Sequence, residues 1–309
     1  MTEDTAIRAT STELGIGDLA ALTGMPVRTV RFYCDEGLLE FRRSAGGHRR
    51  FAPSAVERLD LVRRLRGLGL GLPAIATVLS GERSIAEAVA AERASLDVQL
   101  AALAWRRASL AAVESAAPAE RAARLELLAA AQDRLAARDA LVAFWRRLVI
   151  APLPTEFFDM FLEVSVPLPP ADPTPRQVVA YAEMVALAGD RSLARRMHAR
   201  ARVNLEWITD EAELLTGIAA ACELAHPLVL AGRPPEPGEA LDRYVAAYAS
   251  GQRRRDTPRF RRELLGTATV DRDPRLRRYW RLVGEVTGEP VPVGLAQAWL
   301  VDALERSVA

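Results

Sequence analysis

The stretch Arg28–Phe51, RTVRFYCDEGLLEFRRSAGGHRRF, constrains the chain more than any other. A short helix carries Arg28 and Arg31 with the neighbouring aromatics Phe32 and Tyr33. Gly37 ends that helix, because glycine most easily takes the left-handed conformation that closes one. Leu38 and Leu39 are expected to start a strand. A basic, glycine-containing turn follows (Arg42, Arg43, Gly46, Gly47, His48, Arg49, Arg50), and Phe51 closes the return strand. This is the pattern of a recognition helix followed by a wing. Between Gly24 and Gly67 ten arginines face five acids, a local charge of +5 in a chain whose net charge is only +1. Such a local excess is the electrostatic footprint of a phosphate-binding face.

The flanking segments complete a small domain. Ile16, Leu19, Ala20 and Leu22 form the stripe of a first helix that Gly24 ends. Val27, Val30 and the Phe32 ring are expected to pack the second helix onto it, leaving Arg28, Thr29 and Tyr33 free to face DNA; Arg31 is expected to contact DNA as well, the alternative being an ion pair that supports the fold. A helix presenting its N-terminal residues to base edges is how helix-turn-helix proteins read the major groove. In the wing, Arg42, Arg43 and Arg49 are expected phosphate contacts, with Gly47 shaping the turn and His48 beside them. Ser54-Ala-Val-Glu57 reads as a capping box opening a third helix, with Val56, Leu59, Val62 and Leu65 inward and Arg63, Arg64 and Arg66 outward. Gly67-Leu-Gly-Leu-Gly71 reads as a second wing, and Pro73 opens a fourth helix that Gly81 ends.

The pieces IGDLAALTGM (Ile16–Met25), VRTVRFYCDEGLL (Val27–Leu39), GGHRRF (Gly46–Phe51) and SAVERLDLVRRLRGLGLGLPAIATVLSG (Ser54–Gly81) resemble, in order and spacing, the DNA-binding domain of the MerR family of transcription regulators. The resemblance covers about a fifth of the chain. It implies a winged helix-turn-helix and an exposed, DNA-facing Tyr33. It also implies a homodimer joined by an antiparallel helix, and a role beside RNA polymerase at a promoter whose DNA the regulator untwists and bends. Cys34 stands where the family often has an acid.

Ser84-Ile-Ala-Glu87 is another capping box, and no proline or glycine follows until Pro118, so one helix of about 33 residues, roughly 50 Å long, is expected. Val89, Leu96, Leu103 and Leu110 fall at sevens, and Leu100 and Val113 widen the stripe. A dimer seam is the expected use; the polar Glu92, Gln99 and Arg106 would set its register.

From Pro118 onward the pattern is helical throughout, broken by the proline- and glycine-rich stretches APLP, VPLPPADPTP, AGRPPEPGE and TGEPVPVG. Helices are expected over 118–149, 155–164, 175–188, 192–208, 211–231, 239–250, 258–265, 274–286 and 294–307. The fold class is thus mainly α: a winged helix-turn-helix with a small β wing (14–81), a long dimerisation helix (82–117) and an all-helical domain (118–309), after a disordered lead-in (1–13). Thirteen of the eighteen aromatic residues lie after Pro118. Phe144, Trp145, Phe158, Tyr181, Trp207, Tyr248 and Trp280 are candidates to line a pocket for an organic small-molecule effector, although aromatics of a helical core give the same pattern. Glu183 and Glu206 are candidate partners for a cationic ligand, but more often such residues are solvated or ion-paired. The alternative is a protein-docking module with no small-molecule effector.

No phosphate loop, nucleophile elbow, metal pair or dinucleotide fingerprint is present, so the chain is not expected to be an enzyme, and no cofactor is expected. The resemblance implies that a metal-sensing member would carry thiolates near the end of the dimer helix, whereas 106–134 contains neither Cys nor His; the two cysteines are too few for an iron–sulfur cluster. Two distant cysteines, no apolar signal core and no apolar run near 18 residues point to the cytoplasm and away from a membrane. Every basic residue other than histidine is arginine. Arginine dominates the C-terminal half as strongly as the wing, so this reflects coding bias more than phosphate chemistry.

Overall fold

The computed structural model describes residues 13–148 and 154–309, and the expected lead-in lies almost entirely outside them. The chain divides into two compact units, Met1–Gln99 and Leu100–Ala309.

In the first unit, strand β1 (Leu14–Gly15) leads into α1 (Ile16–Thr23) and α2 (Val27–Asp35). Strands β2 (Arg42–Arg43) and β3 (Arg49–Phe51) follow, then α3 (Ser54–Gly67), α4 (Leu72–Leu79) and the first half of α5 (Ile85–Glu114). The sheet has the order β1-β3-β2, all antiparallel, with Leu14 opposite Phe51, Gly15 opposite Arg50 and Arg43 opposite Arg49. Gly24 takes φ 65°, and Met25 N–H donates to the Ala20 carbonyl at 3.1 Å, closing α1 in a left-handed cap. Leu19, Val30, Leu38, Phe51, Leu59, Val62 and Ile75 are buried together. Full burial of one such side chain contributes about 1.5–3 kcal/mol, so this cluster is the main stabilising term of a small unit.

Four expectations are corrected here. Leu38 and Leu39 do not begin a strand; both are buried in the bend after α2, where Leu38 N–H donates to the Tyr33 carbonyl at 2.9 Å, and the strand starts later, at Arg42. The aromatic pair is reversed: Tyr33 is 9 % exposed and Phe32 47 %. Ser54 is already inside α3 and makes no capping hydrogen bond, the preceding Pro53 being itself in helical conformation. The turn Leu68–Gly71 joins two helices without strands, with Gly69 at φ 93°. By contrast, Ser84 and Glu87 do cap α5 reciprocally, at 2.8 and 3.2 Å.

Helix α5 has two unlike faces. Ala101, Trp105, Ala108 and Ala112 are buried, and the Trp105 indole N–H donates to the Ala131 carbonyl at 2.8 Å while its ring meets Tyr181 edge-on at 5.5 Å. Leu96, Leu100, Leu103 and Leu110 lie on the other side, exposed. Small alanines let α5 approach its neighbours closely, and Trp105 fills the space beyond them.

The second unit continues with a 3-10 turn (Pro118–Glu120), α6 (Arg121–Ala129), α7 (Arg134–Leu148), α8 (Thr155–Ser165), α9 (Pro175–Ala188) and α10 (Arg191–Trp207). It ends with α11 (Glu211–Leu230), α12 (Glu239–Gly251), α13 (Pro258–Thr267), α14 (Pro274–Thr287) and α15 (Val293–Val308). The single helix expected over 118–149 is broken at residues 130–133, where the Asp133 carboxylate accepts from the N–H groups of Leu135 and Ala136 and so starts α7. One core gathers Trp105, Leu141, Tyr181 and Tyr279; a second gathers Leu241, Tyr244, Phe260 and Leu300. Ion pairs bind α14 to its neighbours: Arg275 reaches Asp190, Arg277 reaches Asp302, and Arg278 grips Glu183 at 2.8 and 2.7 Å. Helix α11 is, by length and composition, apolar enough to cross a membrane, contrary to the sequence expectation. In this fold its Leu214, Ile218, Ala221 and Ala225 are buried in the second core.

Candidate nucleic-acid interface and effector cavity

The recognition helix and the wing meet at one basic cleft. It is lined by Gly15 and Ile16 at the start of α1, Arg31 from α2, and Arg43, Gly47, His48, Arg49 and Arg50 from the wing. The wing turn explains its shape. Ser44 N–H donates to the His48 carbonyl at 2.9 Å, Gly47 N–H donates back to the Ser44 carbonyl at 2.9 Å, and Gly47 sits at φ 76°, where a β-carbon would be strained. The turn thereby holds Arg43 and His48 outward, both exposed.

The remaining predicted contacts fall into distinct places. Arg28 is exposed and Thr29 half-exposed on the first turn of α2, and Arg31 and Arg42 are exposed. Tyr33 is core and not a DNA-facing side chain, because a helix of nine residues that buries Val30 and Cys34 carries Tyr33 inward with them; Phe32 takes the exposed place. Arg49 is tied into the fold: its guanidinium donates to Asp35 at 2.7 Å and to the Arg31 carbonyl at 3.4 Å, and lies 4.7 Å from the Phe41 ring centroid. Its side chain is only 20 % exposed. Arg63 donates to the Thr23 carbonyl and pairs with Asp60, and Arg66 donates to the Leu70 carbonyl at 2.8 Å, so both brace helix ends; Arg64 is exposed. Arg50, half-buried on β3, belongs to the cleft and was not among the predicted contacts; its pairing with Gly15 on β1 puts it there.

Residues 14–82 match the family described as MerR HTH family regulatory protein. Residues 14–82 form a MerR-family helix-turn-helix domain. The chain is 36 % identical over 87 residues to Nodulation protein NolA of Bradyrhizobium sp. (strain NC92), a match covering 28 % of this chain and 37 % of NolA. Identity is 36 % over 59 residues to HTH-type transcriptional regulator HmrR of Rhizobium leguminosarum bv. viciae (19 % and 46 %). It is 38 % over 65 residues to HTH-type transcriptional activator TipA of Streptomyces coelicolor (21 % and 26 %). The chain thus spans less than half the length of these relatives. No solved structure matches. The helix-turn-helix fold with a three-stranded sheet and an otherwise helical chain agrees with the fold class read from the sequence.

Of the predicted seam residues, Leu96, Leu100, Leu103 and Leu110 are 46, 63, 62 and 63 % exposed. Val89 and Val113 are half-buried against cores of this same chain, which leaves them less to offer a partner.

The second unit contains a cavity of about 220 Å³. Three predicted aromatics line it: Trp145, Tyr248 and Trp280. The other four do not. Phe144 is buried in the first core; Tyr181 is buried, its hydroxyl donating to the Pro167 carbonyl at 3.1 Å; Phe158 lies under Arg146; and Trp207 is 45 % exposed. Glu183 is occupied by Arg278, and Glu206 is exposed. The cavity adds Phe161 and Met197 to its apolar wall and Arg200, Glu211, Asp271, Arg277 and Gln297 to its polar one. Gly294 is essential to its shape: a β-carbon there would fall 2.0 Å from the Trp280 ring. Burial pushes the Asp271 carboxyl up against the opposing fields of Arg200 and Arg277, and burial likewise raises Glu211.

Proposed function

We propose that the protein is a homodimeric DNA-binding transcription regulator of the MerR kind. It binds an inverted-repeat promoter site, distorts it, and is controlled by an organic small molecule held in the helical unit. The observation that carries the DNA-binding part is the cleft where Arg31 of α2 meets Arg43, His48 and Arg50 of the wing. A duplex presents about one phosphate charge per 1.7 Å of axis. A short helix with Arg28, Thr29 and Arg31 on its outer side suits the major groove, and a basic turn beside it suits the flanking phosphates.

The dimer part rests on α5. Four exposed leucines on the face opposite Trp105 are a self-complementary patch in need of cover, and a two-fold pairing presents the same patch from both chains. Two reading heads related by a two-fold axis match an inverted repeat. The protein would then act in the cytoplasm beside RNA polymerase.

The effector part rests on the cavity and its mixed aromatic and charged lining, which favours a small molecule over a protein-docking groove. The ligand shifts output only by its differential affinity for two states; coupling of about 1–3 kcal/mol gives a roughly 5–150-fold response.

Selection of duplexes from a random pool by the full chain tests the proposal. Recovered sequences should converge on an inverted repeat, and the Arg28→Ala/Arg31→Ala variant should recover none while keeping its helical circular dichroism. A pool that stays random, or a variant that selects as well as the parent, would remove the DNA-binding reading.

A further inference from the structure

The outer face of α2 carries an aromatic ring that the fold does not use. Along this nine-residue helix, Arg28, Arg31, Phe32 and Asp35 stand three or four residues apart, which places them on one face, and all four are exposed. Val30, Tyr33 and Cys34 share the opposite face and are buried. Phe32 is in contact with its neighbour Tyr33, ring centroids 5.8 Å apart and planes tilted by 46°. Ile16, Met25 and Phe41 are partly buried and pack against the core of this unit; Phe32 is not among the residues that do. Phe41 is further covered by the Arg49 guanidinium. Among the described residues no guanidinium lies over the Phe32 ring, although Arg28 and Arg31 stand on its face of the helix. A single exposed apolar side chain is common on protein surfaces. What singles this one out is its place, next to Arg31, which lines the basic cleft with the wing.

Charge decides what kind of surface can meet the ring. Toward the start of α2 the face is basic, with Arg28 and Arg31. Toward its end stand Asp35 and Glu36, both exposed, at the negative pole of the helix dipole. Arg49 offsets Asp35, at 2.7 Å, but adds no positive surplus there. A phosphate brought against Phe32 would lose hydration and gain no donor from the ring. The part of a duplex that suits a bare phenyl group is therefore uncharged and apolar. The major groove, wide enough to admit a helix, offers one methyl group among its donors and acceptors, the C5 methyl of thymine.

We propose that Phe32 is a specificity-determining residue that reads a thymine in each half-site by packing its ring against the C5 methyl group. The inference rests on the DNA-binding reading and names a base preference for it. Arg28 and Arg31 anchor the same face to base edges or phosphates, and Phe32 adds selection at one position.

The full chain and the duplex it recovers from a random pool provide the test. Replacing each thymine of a half-site in turn by uracil deletes one methyl group and keeps every base pair. One such replacement should weaken binding about fourfold, the factor expected from burying one methyl-sized group. Phe32→Ala should weaken binding to the thymine duplex by at least that factor and should bind the thymine and uracil duplexes equally. Its urea midpoint should match the parent's, since the side chain is exposed; Phe32→Ser serves in its place if Phe32→Ala does not fold. If no uracil replacement affects the unmodified protein, the inference is overturned, even where Phe32→Ala weakens binding to every duplex alike. If uracil weakens binding of the parent and of the folded variant equally, another residue reads the methyl group and the inference also falls. A pool that stays random removes the DNA-binding reading and this inference with it, whereas a converged site without uracil sensitivity removes the inference alone.

Discussion

Arg49 is the sharpest case of a residue whose charge suggests one role and whose surroundings give it another. Its guanidinium is held at 2.7 Å by Asp35, at the end of α2, and lies 4.7 Å from the Phe41 ring centroid. Asp35 is 57 % exposed, so the ion pair is screened and contributes about 0.2–1 kcal/mol. The stacking on Phe41 adds about 0.5–1 kcal/mol, and the side chain's own packing adds to that. Arg49→Ala should therefore cost the first unit roughly 1–2 kcal/mol, seen as a lower urea midpoint with an unchanged slope. Asp35→Ala should cost less, because Phe41 still holds Arg49. The double variant should reveal a coupling of about 0.2–1 kcal/mol. Arg43→Ala is the control: that side chain is exposed, reaches the Gly47 carbonyl at 3.3 Å and lies 6.0 Å from the Phe41 ring centroid, farther than Arg49, so its stability should stay within about 0.5 kcal/mol of the parent. If Arg49→Ala is as stable as the parent yet loses DNA affinity as Arg43→Ala does, the assignment of Arg49 to the fold is wrong.

Three other outcomes are expected. Leu103→Arg places a charge at the centre of the exposed leucine face of α5, a cost of several kcal/mol if that face is covered by a second copy, so sedimentation should show folded monomers; an intact dimer would reject the seam. Gly294→Ala puts a β-carbon 2.0 Å from Trp280, and moving the ring should cost about 1–3 kcal/mol and alter the tryptophan emission; an unchanged spectrum and stability would show that the wall yields freely. The Arg275 guanidinium, with Arg196 beside it, holds the Asp273 carboxyl below the usual range. Its folded-state pKa is depressed, so its contribution is present above about pH 4 and is lost as pH falls through the folded value. Asp273→Asn should therefore flatten the acid limb of the stability curve, and an identical limb in both proteins would contradict this.

The helix-turn-helix unit was legible because its signals are local: glycine stops at Gly24 and Gly37, a run of arginines, and a glycine turn. What failed there also failed locally. Adjacent aromatics in a nine-residue helix differ by one step of rotation, and the apolar pattern does not say which of Phe32 and Tyr33 turns inward; packing against the Leu19 and Leu59 cluster decides it. The stripe of leucines on α5 was visible, but the opposite face was not, since Ala101, Ala108 and Ala112 carry no apolar signal beyond that of any helix-forming alanine. The cavity was half-seen. Aromatic enrichment pointed to Trp145, Tyr248 and Trp280, yet Asp271 and Arg277 join them only through folding of segments more than a hundred residues from Trp145. No spacing in the sequence announces that.

The most direct test of the cleft as a DNA-binding face is the salt dependence of duplex binding. For the full chain on one duplex, the logarithm of the affinity should fall linearly with the logarithm of salt concentration, with a slope of about 0.9 per phosphate neutralised. Arg31→Ala, Arg43→Ala and Arg50→Ala should each weaken binding and reduce the slope, by up to about 0.9 where one phosphate contact is lost. Slopes and affinities equal to the parent's in all three variants would mean that DNA does not meet the protein at this cleft.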